Sequence, residues 1–476
     1  MNELEATISQ VIDENNISFE WGKEVLNELK HAELDLNSKR KDLTRVPFIT
    51  IDGSDAKDFD DAIHCIYSKS SFTLSVAIAD VAELVQPGTA LDDEALNRGT
   101  SIYFPSKVIP MLPEEISNDL CSLVPNQIRN VVVCEITFSE IGEIQNYNFF
   151  EARIQSHKRM TYAEVDKFLA AGSGLESNIS NSIKSLHKLT KVLLKIRGKR
   201  GALEIESQEP LLDINVEGKV KKIILPERLF SHRMVEESML AANVCAANFM
   251  NKHYNFGVYR IHEEPDELKL ESLKKFFSLK GFSGSFSKDP ANLIKQCLLH
   301  SRDNKLNKAL QTVVLQSLKR AEYSTEELGH FGLQLQRYSH FTSPIRRYPD
   351  LMTHRMIKNI LNNSSNATNK DNIEEICIDM SGLERVAEKS SRQVTQQMIC
   401  FFLKKHIGEE VNAVVTGVAE FGLFAEIQDF YVSGLIHVSD LSGDRYFLDK
   451  ESNVLKGRKT GKNLVDGRIN IRVIVL

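Results

Sequence analysis

The stretch ITIDGSDAKDFDDAIH, residues 49–64, is the most informative part of this sequence. It holds five aspartates within ten residues, namely Asp52, Asp55, Asp58, Asp60 and Asp61. So many carboxylates repel one another unless a cation neutralises them, and hard divalent cations such as Mg²⁺ take oxygen ligands and share them with water and phosphate. The cluster follows an apolar strand and precedes AIHCIY, so it predicts a metal site at the end of a strand.

Other interpretations of the acidic stretch are weaker. An EF-hand loop would need a bidentate Glu eleven positions after the first Asp, and that position is Ile63. A solvated acidic loop is the remaining alternative, although the flanking strands are strongly apolar. The stretch GRKTGKN at residues 457–463 has the wrong spacing for a phosphate-binding loop, and there is no HExxH or GxSxG motif.

Composition excludes several classes of protein. The 476 residues are 42% hydrophobic and 26% charged with a net charge of −6, which is not the balance of a polybasic nucleic-acid binder. The seven cysteines form no CxxC pair, which predicts free buried thiols in a reducing compartment. The N-terminus MNELEATISQ has no apolar signal core, and the weakly polar stretch Met239–Met250 is too short to span a bilayer. We therefore expect a cytoplasmic protein with no membrane partner.

The chain divides into three predicted parts. Residues 1–45 are charged, with leucines Leu26, Leu29, Leu34 and Leu36 that suggest a helical lead-in segment. Residues 46–404 begin with strands, include a hairpin around Ile141–Gly142, and contain the helical stretch HRMVEESMLAANVCAANFMNKH, which is apolar on more than one face. Residues 405–476 have short alternating strands of the length of an OB-fold barrel.

A basic and aromatic stretch, HFGLQLQRYSHFTSPIRRYPDLMTHRMIK at residues 330–358, is the counterpart of the acids. Arginine forks grip phosphate oxygens, and aromatic rings stack on bases. Alone, such a stretch is equally the charged face of a helix making salt bridges. Together with a distant acidic cluster, it predicts phosphodiester chemistry in which the acids hold Mg²⁺ and an arginine stabilises transition-state charge.

With both motifs in hand, the chain resembles the ribonuclease II / ribonuclease R family of 3′→5′ exoribonucleases. The matching blocks include TIDGSDAKDFDDAIHC, VAIADVAELVQPG, NRGTSIYFPSKVIPMLPEEISNDLCSL, YRIHEEPD and SPIRRYPDLMTHR. The ribonuclease R branch is the nearer match, through DGSDAKDFDD and SPIRRYPD. The C-terminal stretches GLFAEI and VSGLIHVSDL are similar to the family's S1-type OB-fold.

The resemblance implies roles for individual residues. The family's four motif aspartates fall on Asp52, Asp58, Asp60 and Asp61, which would hold Mg²⁺, with Asp60 the most critical for chemistry and Asp55 left as a solvated acid. Arg346 would stabilise the developing charge on the phosphate. The resemblance also implies RNA contacts, at Tyr103, Tyr162, Glu236, Glu237, Arg347, Tyr348, Phe421, Phe424 and His437.

The sequence also departs from the family pattern. We expect no cold-shock-type domains before the catalytic domain, and a C-terminal module that ends without the family's last strand and basic tail. Around LLDINVEG, residues 211–218, we find Leu211, Leu212 and Ile214 and no stacking Phe before the MVEES helix, so we expect the second aromatic of the clamp to be absent or replaced.

The expected fold class is α+β, with a large catalytic domain around a central RNA channel followed by an all-β OB-fold domain. We expect an Mg²⁺-dependent, processive 3′→5′ exoribonuclease that converts single-stranded RNA to nucleoside 5′-monophosphates. RNA-decay or ribosome-associated factors are the other expected partners, and the expected state is a monomer. A non-catalytic RNA-binding protein of the same fold is the main alternative, and a DNA exonuclease or small-substrate phosphodiesterase is a further one.

Overall fold

The protein is described here from a computed structural model, which covers residues 2–204, 210–302, 307–364, 369–441, 443–449, 454–461, 463–464 and 470–474. The elements of the first part are, in chain order, α1 (Glu3–Glu14), α2 (Lys23–Leu29), β1 (Lys41–Asp42), β2 (Phe48–Asp52), β3 (Asp61–Ser68), β4 (Ser71–Ala79), α3 (Val81–Leu84), α4 (Ala90–Arg98), β5 (Ile102–Phe104), β6 (Lys107–Ile109), β7 (Ile128–Ser139), β8 (Ile144–Thr161), α5 (Tyr162–Ala171) and α6 (Ser177–Arg200).

The second part continues with β9 (Leu211–Ile214), β10 (Val220–Ile224), α7 (Phe230–Tyr254), β11 (Tyr259–Ile261), α8 (Glu267–Leu279), α9 (Pro290–Arg302), α10 (Asn307–Ser317), β12 (Glu322–Ser324), α11 (Tyr348–Leu361) and α12 (Lys370–Leu403). The C-terminal strands are β13 (Glu410–Ala419), β14 (Gly422–Ile427), β15 (Val432–His437), β16 (Tyr446–Asp449), β17 (Val454–Gly457), β18 (Asn463–Leu464) and β19 (Asn470–Ile474). Mixed helix and sheet followed by an all-β module is the predicted α+β class.

The main sheet closes on itself. Strands β2, β3, β4, β7 and β8 pair in that order, and the 18-residue β8 bends so that its first half pairs with β7 and its second half runs parallel to β2. Each of the five strands therefore has a partner on both sides, which removes exposed sheet edges. Because β4 is covered on both faces, the last part of this strand is a continuous apolar run. Its residues Val76, Ala77, Ile78 and Ala79 are fully buried.

The β7–β8 turn confirms the hairpin predicted at Ile141–Gly142. Gly142 adopts a φ of +84°, and a Cβ atom there would lie 2.7 Å from the side chains of Val192 and Ile196 on α6. Glycine is therefore required both for the backbone conformation and for the close approach of the turn to the helix.

The predicted buried helix is α7. It packs against α6, α11 and the strands of the barrel, with Met234, Ala242, Cys245, Ala246 and Met250 all buried. Because neighbouring elements pack against α7 on several sides, the helix is apolar on more than one face. All seven cysteines are free, and six are buried as predicted, while Cys400 is exposed.

The lead-in segment is helical as expected, and Leu26 and Leu29 lie in α2, whereas Leu34 and Leu36 follow it outside any helix. Helix α2 ends at Leu29, and the longer helix α1 precedes it, with Asn2 and Glu5 forming a capping box. Leu4, Ile8, Val11 and Ile12 of α1 pack in one cluster with residues of α12 such as Val394 and Met398. The lead-in segment therefore packs as part of the same folded unit as α12.

The C-terminal module consists of two small sheets, in the orders β15-β14-β13-β19 and β16-β17-β18. Its core contains Val415, Leu423, Leu455 and Leu464. Of the stretch RINIRVIVL, only residues 470–474 lie inside the described part of the chain, where they pair with β13. Among the described helices, none has the length and hydropathy required to cross a bilayer.

Candidate active site

The aspartates lie at one end of the closed sheet. Asp52 is the last residue of β2, Asp61 is the first of β3, and the loop 53–60 between them carries Asp58 and Asp60. Arg159 of β8 donates to the carbonyls of Gly53 and Ser54 at 2.9 and 2.6 Å. On the other side, the hydroxyl of Ser122 accepts from the Phe59 N–H at 3.0 Å. The loop is therefore fixed at both ends, and its carboxylates are held in place before any ligand arrives.

The four aspartates face one cavity of about 790 Å³. It is also lined by Tyr103, Tyr162, Glu236, Arg346 and Arg347. Further lining residues are Asn243, Arg260, His330, Tyr338 and His340. The structure therefore brings the acidic stretch and the SPIRRYPD stretch together. Asp55 is exposed and does not line the cavity, as expected for a solvated acid.

Asp60 joins the two stretches directly. One of its carboxylate oxygens accepts the Ile345 N–H at 2.9 Å, and the other lies 3.3 Å from Nε of Arg346. The buried Asp350 accepts from the N–H of Ser343 and from Arg347, each at 2.8 Å. These bonds fix the backbone before and after Arg346, whose guanidinium remains partly exposed to the cavity.

Crowding and burial disfavour the ionised form of these acids. Burial, reinforced by Asp58, raises the pKa of Asp52 to about 7, while Arg159 and Arg346 oppose the shift. Burial also raises the pKa of Asp60 to about 7 against the attraction of Arg346. For Asp61, burial and the neighbouring Asp52 and Asp60 raise the pKa well above its usual range. A bound cation would reverse this trend by stabilising the carboxylates.

The donor set fits a magnesium ion. Oδ2 of Asp52 is buried without a hydrogen-bond partner, so one oxygen of the cluster has unused capacity to act as a ligand. Within the described part of the chain, no group of three or more acids, histidines or cysteines is arranged so that it could hold a metal ion. A magnesium ion at this site would therefore depend on one or two carboxylates, with water and phosphate oxygens completing its shell.

The two predicted tyrosines line the cavity next to the acids. The Tyr103 hydroxyl donates to Asp58 at 3.0 Å, and its backbone carbonyl accepts from Ser391 of α12 at 2.7 Å. Tyr162 begins α5, and its ring stacks on His232 of α7 with centroids 3.9 Å apart and planes 16° apart. Burial, together with Asp61 and Asp52, raises the pKa of Tyr162 to about 12. His232 was not indicated by the sequence, because nothing links it to residue 162 before the fold does.

Two predicted contacts lie away from the cavity. Glu237 is buried and paired with Arg197 at 2.7 Å, because adjacent helix residues point about 100° apart and only Glu236 faces the cavity. Tyr348 is 3% exposed, and its hydroxyl donates to Asp92 at 2.9 Å. Neither side chain lies where RNA in the cavity would contact it. Arg347 does line the cavity, although its guanidinium is held by Asp350.

Two further lining residues, Asn243 and His340, were not among the site residues expected from the sequence, although His340 belongs to the basic stretch 330–358. Asn243 lies in the middle of α7, donates to the Tyr338 hydroxyl at 3.1 Å and accepts the Phe341 N–H at 2.8 Å. His340 shares a hydrogen bond of 2.8 Å with the Tyr323 hydroxyl, and burial, with Arg347 and Arg260 nearby, lowers its pKa well below the usual range. The signal was Asn243 itself, a polar residue in an otherwise apolar buried helix. Leu212 and Ile214, from the stretch without a stacking Phe, pack into the α1–α12 cluster instead.

The C-terminal module presents an exposed aromatic surface. Phe421 and Phe424 are 51% and 39% exposed, with ring centroids 6.0 Å apart. His437 is exposed and pairs in register with Gly422 on the neighbouring strand. We call these three residues the aromatic patch. Exposed rings on a small barrel are suited to stacking on bases.

Comparison with known proteins identifies the class. Residues 40–363 match the RNB domain family and residues 404–463 match the S1 RNA binding domain. The chain belongs to the RNB domain family.

Its relatives carry the name Ribonuclease R, as the resemblance predicted. It is 38% identical over 472 residues to the Ribonuclease R of Vibrio parahaemolyticus, covering 94% of this chain and 56% of that protein. It is 40% identical over 453 residues to that of Escherichia coli, covering 91% and 56%. The solved structure of Mycoplasma genitalium RNase R in complex with ribose methylated single-stranded RNA superimposes with a TM-score of 0.92 at 31% identity, covering 98% of this chain and 75% of that one. The chain spans about half the length of the curated relatives.

Proposed function

We propose that the chain is a hydrolytic 3′→5′ exoribonuclease that degrades single-stranded RNA to nucleoside 5′-monophosphates. The observation that carries the proposal is the pairing of Asp60 with Arg346 at 3.3 Å beside three further aspartates in one cavity. Anionic ligands for a metal, next to a cation for phosphate, are the groups that phosphodiester hydrolysis requires. The names of the relatives support the same reaction class.

Asp52, Asp58, Asp60 and Asp61 would hold Mg²⁺. When bound, the ion would supply an activated water and neutralise charge on the phosphate. The protein's side chains would position the groups that bind the phosphate. Asp60 and the Ser343 hydroxyl, which accepts from the Arg346 guanidinium at 2.9 Å, position Arg346 at the cavity, where its remaining N–H groups would be available to a non-bridging phosphate oxygen. Because the guanidinium is positioned in advance, it does not have to reorganise as negative charge develops on the phosphate.

The aromatic side chains would hold the terminal nucleotide. The Tyr103 ring is 42% exposed at the cavity, and its hydroxyl is bound to Asp58, so its orientation is fixed next to the acids. Tyr338 and His340 also line the cavity. A strand end placed between these groups would present its last phosphate to Asp60 and Arg346. This arrangement favours attack at the end of a strand.

The aromatic patch supports RNA as the substrate and a processive mode of action. A second contact with the strand, outside the cavity, would keep the RNA attached between successive cleavages. We also propose that the protein acts as a monomer in the cytoplasm, with RNA-decay or ribosome-associated factors as partners. The alternative, a non-catalytic RNA-binding protein, is not favoured, because all four aspartates and Arg346 are present at one cavity.

The test compares two identical chemical changes in the same loop. Asp60→Asn removes the buried carboxylate, and Asp55→Asn removes an exposed one five residues away that does not line the cavity. On a 5′-labelled single-stranded RNA with Mg²⁺, we expect Asp60→Asn to lose on the order of 10²-fold or more in rate. Asp55→Asn should degrade RNA like the unmodified chain. Similar rates for Asp60→Asn and the unmodified chain would rule out the proposed site.

A further inference from the structure

A second, smaller cavity of about 230 Å³ lies beside the first, between α6 and the start of α7. It has room for about eight waters at the volume each occupies in the liquid. Three arginines dominate its lining, namely Arg197 from α6 and Arg228 and Arg233 from the segment around the start of α7. Two glutamates, Glu204 and Glu236, also line it.

The two cavities share a wall. Glu236 lines both of them, and its carboxylate is held by Arg197 at 2.7 Å and by Arg228. The rest of the wall includes Leu333, which lines the first cavity and whose carbonyl accepts from Arg200 at 2.9 Å. The Leu203 N–H donates to the Gly332 carbonyl at 2.8 Å. The two cavities are therefore adjacent, with the paired Glu236 between the acids and the arginines.

Arg233 is the arginine of this cavity for which the described part of the chain provides no partner. Arg197 and Arg228 are engaged with Glu236, and Arg197 also binds Glu237. Arg233 is half-buried and forms no hydrogen bond or ion pair with any residue that the structure describes. Partial burial of a guanidinium without a counter-ion among the described residues is unfavourable. An anion that bound there would stabilise the charge.

We propose that this arginine cavity binds the phosphate group of a nucleoside 5′-monophosphate after it leaves the first cavity. The inference rests on the proposed exoribonuclease function, which generates that product. Hydrolysis turns a phosphodiester with one negative charge into a phosphomonoester with a charge of about −1.5 to −2 at neutral pH. The more negative product is therefore repelled by the aspartates of the first cavity and attracted by the arginines of the second.

The test is equilibrium dialysis of the full chain with AMP and, separately, with inorganic phosphate, in EDTA so that no turnover occurs. Arg233→Gln removes the unpaired cation. Lys195→Gln is the matched control, because Lys195 is an exposed cation of α6 that does not line the cavity. A charged hydrogen bond of ordinary strength predicts a loss of about tenfold or more in AMP affinity for Arg233→Gln and none for Lys195→Gln. Arg233→Lys should recover part of the affinity.

Two results would overturn the proposal. One is AMP binding that Arg233→Gln leaves unchanged while Arg346→Gln in the first cavity abolishes it. The other is equal affinity for AMP and inorganic phosphate, which would assign the cavity to free phosphate. Because dialysis needs no catalysis, a chain that failed to degrade RNA would refute the proposed function and still report on this site. In an active chain, the AMP concentration for half-inhibition should rise in Arg233→Gln relative to Lys195→Gln.

Discussion

Nε of Arg346 lies 3.3 Å from one carboxylate oxygen of Asp60, while the N–H of Ile345 donates to the other oxygen at 2.9 Å. Asp60 therefore positions the arginine and orders the backbone before it, although Ile345 and Asp60 are 285 residues apart in the sequence. The acidic loop and the SPIRRYPD stretch consequently act as one unit.

Replacing Arg346 should slow RNA cleavage without weakening RNA binding to the same degree. We expect Arg346→Gln to lower kcat by about 10²–10³-fold, the usual effect of removing one group that stabilises transition-state charge. Arg346→Lys keeps the charge and loses the fork, so it should recover only part of the rate. The measurement is single-turnover cleavage, with exposed Arg45→Gln as the control. A large rise in KM with unchanged kcat would assign Arg346 to ground-state binding instead.

The Tyr103 ring and hydroxyl should be separable. Tyr103→Phe keeps the ring and loses the 3.0 Å bond to Asp58, so we expect a modest change in rate. Tyr103→Ala removes the ring, and stacking is worth about 1–3 kcal/mol per base, which corresponds to about five- to 150-fold in RNA affinity. Equilibrium binding of RNA in an Asp60→Asn background measures the difference. Equal losses for Phe and Ala would contradict a stacking role.

The aromatic patch should contribute affinity rather than chemistry. We expect Phe421→Ala with Phe424→Ala to weaken binding of a long single-stranded RNA by about 1–3 kcal/mol per lost stacked base. An RNA too short to reach from the cavity to the patch should bind as before. Phe447→Ala removes another exposed ring, from β16 in the other sheet of the same module, and is the control. Equal weakening by the control would mean that the patch has no special role.

A buried ion cluster at the end of β4 should contribute strongly to the stability of the RNB domain. Asp80 is fully buried and paired with Arg40 at 2.7 Å and Lys358 at 2.5 Å. Asp80→Asn leaves both cations under-compensated, so we expect a loss of about 3–5 kcal/mol in the free energy of unfolding. The exposed Asp93→Asn should change it by less than about 0.5 kcal/mol. Denaturant titration compares the two, and equal effects would contradict this assignment.

The same cluster predicts a loss of stability in acid. Burial alone would raise the pKa of Asp80, but the attraction of Lys358 and Arg40 outweighs it and lowers the pKa below its usual value. The stabilisation is therefore present above the unfolded-state pKa of about 3.9 and is lost as the pH falls through and below that value. Unfolding of the unmodified chain should show this loss, and Asp80→Asn should show less of it. An identical pH dependence for both chains would exclude Asp80 as the source.

Sequence reasoning could identify the acids and the arginine pair because their chemistry is encoded locally. Four aspartates within ten residues between apolar runs indicate a shared site, and the structure brings Asp52, Asp58, Asp60 and Asp61 to one cavity. The hairpin at Gly142 and the buried helix α7 could also be predicted from the sequence, because turn residues and apolar periodicity are local signals.

Features that depend on long-range packing could not be predicted from the sequence. The closure of the sheet requires one strand, β8, to pair with β7 and β2 in turn, and nothing local marks the bend. The sequence does not distinguish the adjacent Glu236 and Glu237. Only the orientation of α7 in the fold places Glu236 at the cavity and Glu237 away from it, against Arg197. The cavity around Arg233 likewise exists only once α6 and α7 are packed together.

The most direct test of the proposed function is a time course with 5′-labelled single-stranded RNA, run with Mg²⁺ and with EDTA. We expect Mg²⁺-dependent shortening from the 3′ end to a short labelled remnant with few intermediates, and no shortening in EDTA. A parallel reaction with 3′-labelled RNA should release labelled nucleoside monophosphate from the start. Cleavage that persists in EDTA, or no cleavage of an RNA that the protein binds, would contradict the assignment of Asp60 and Arg346 to a metal-dependent exoribonuclease site.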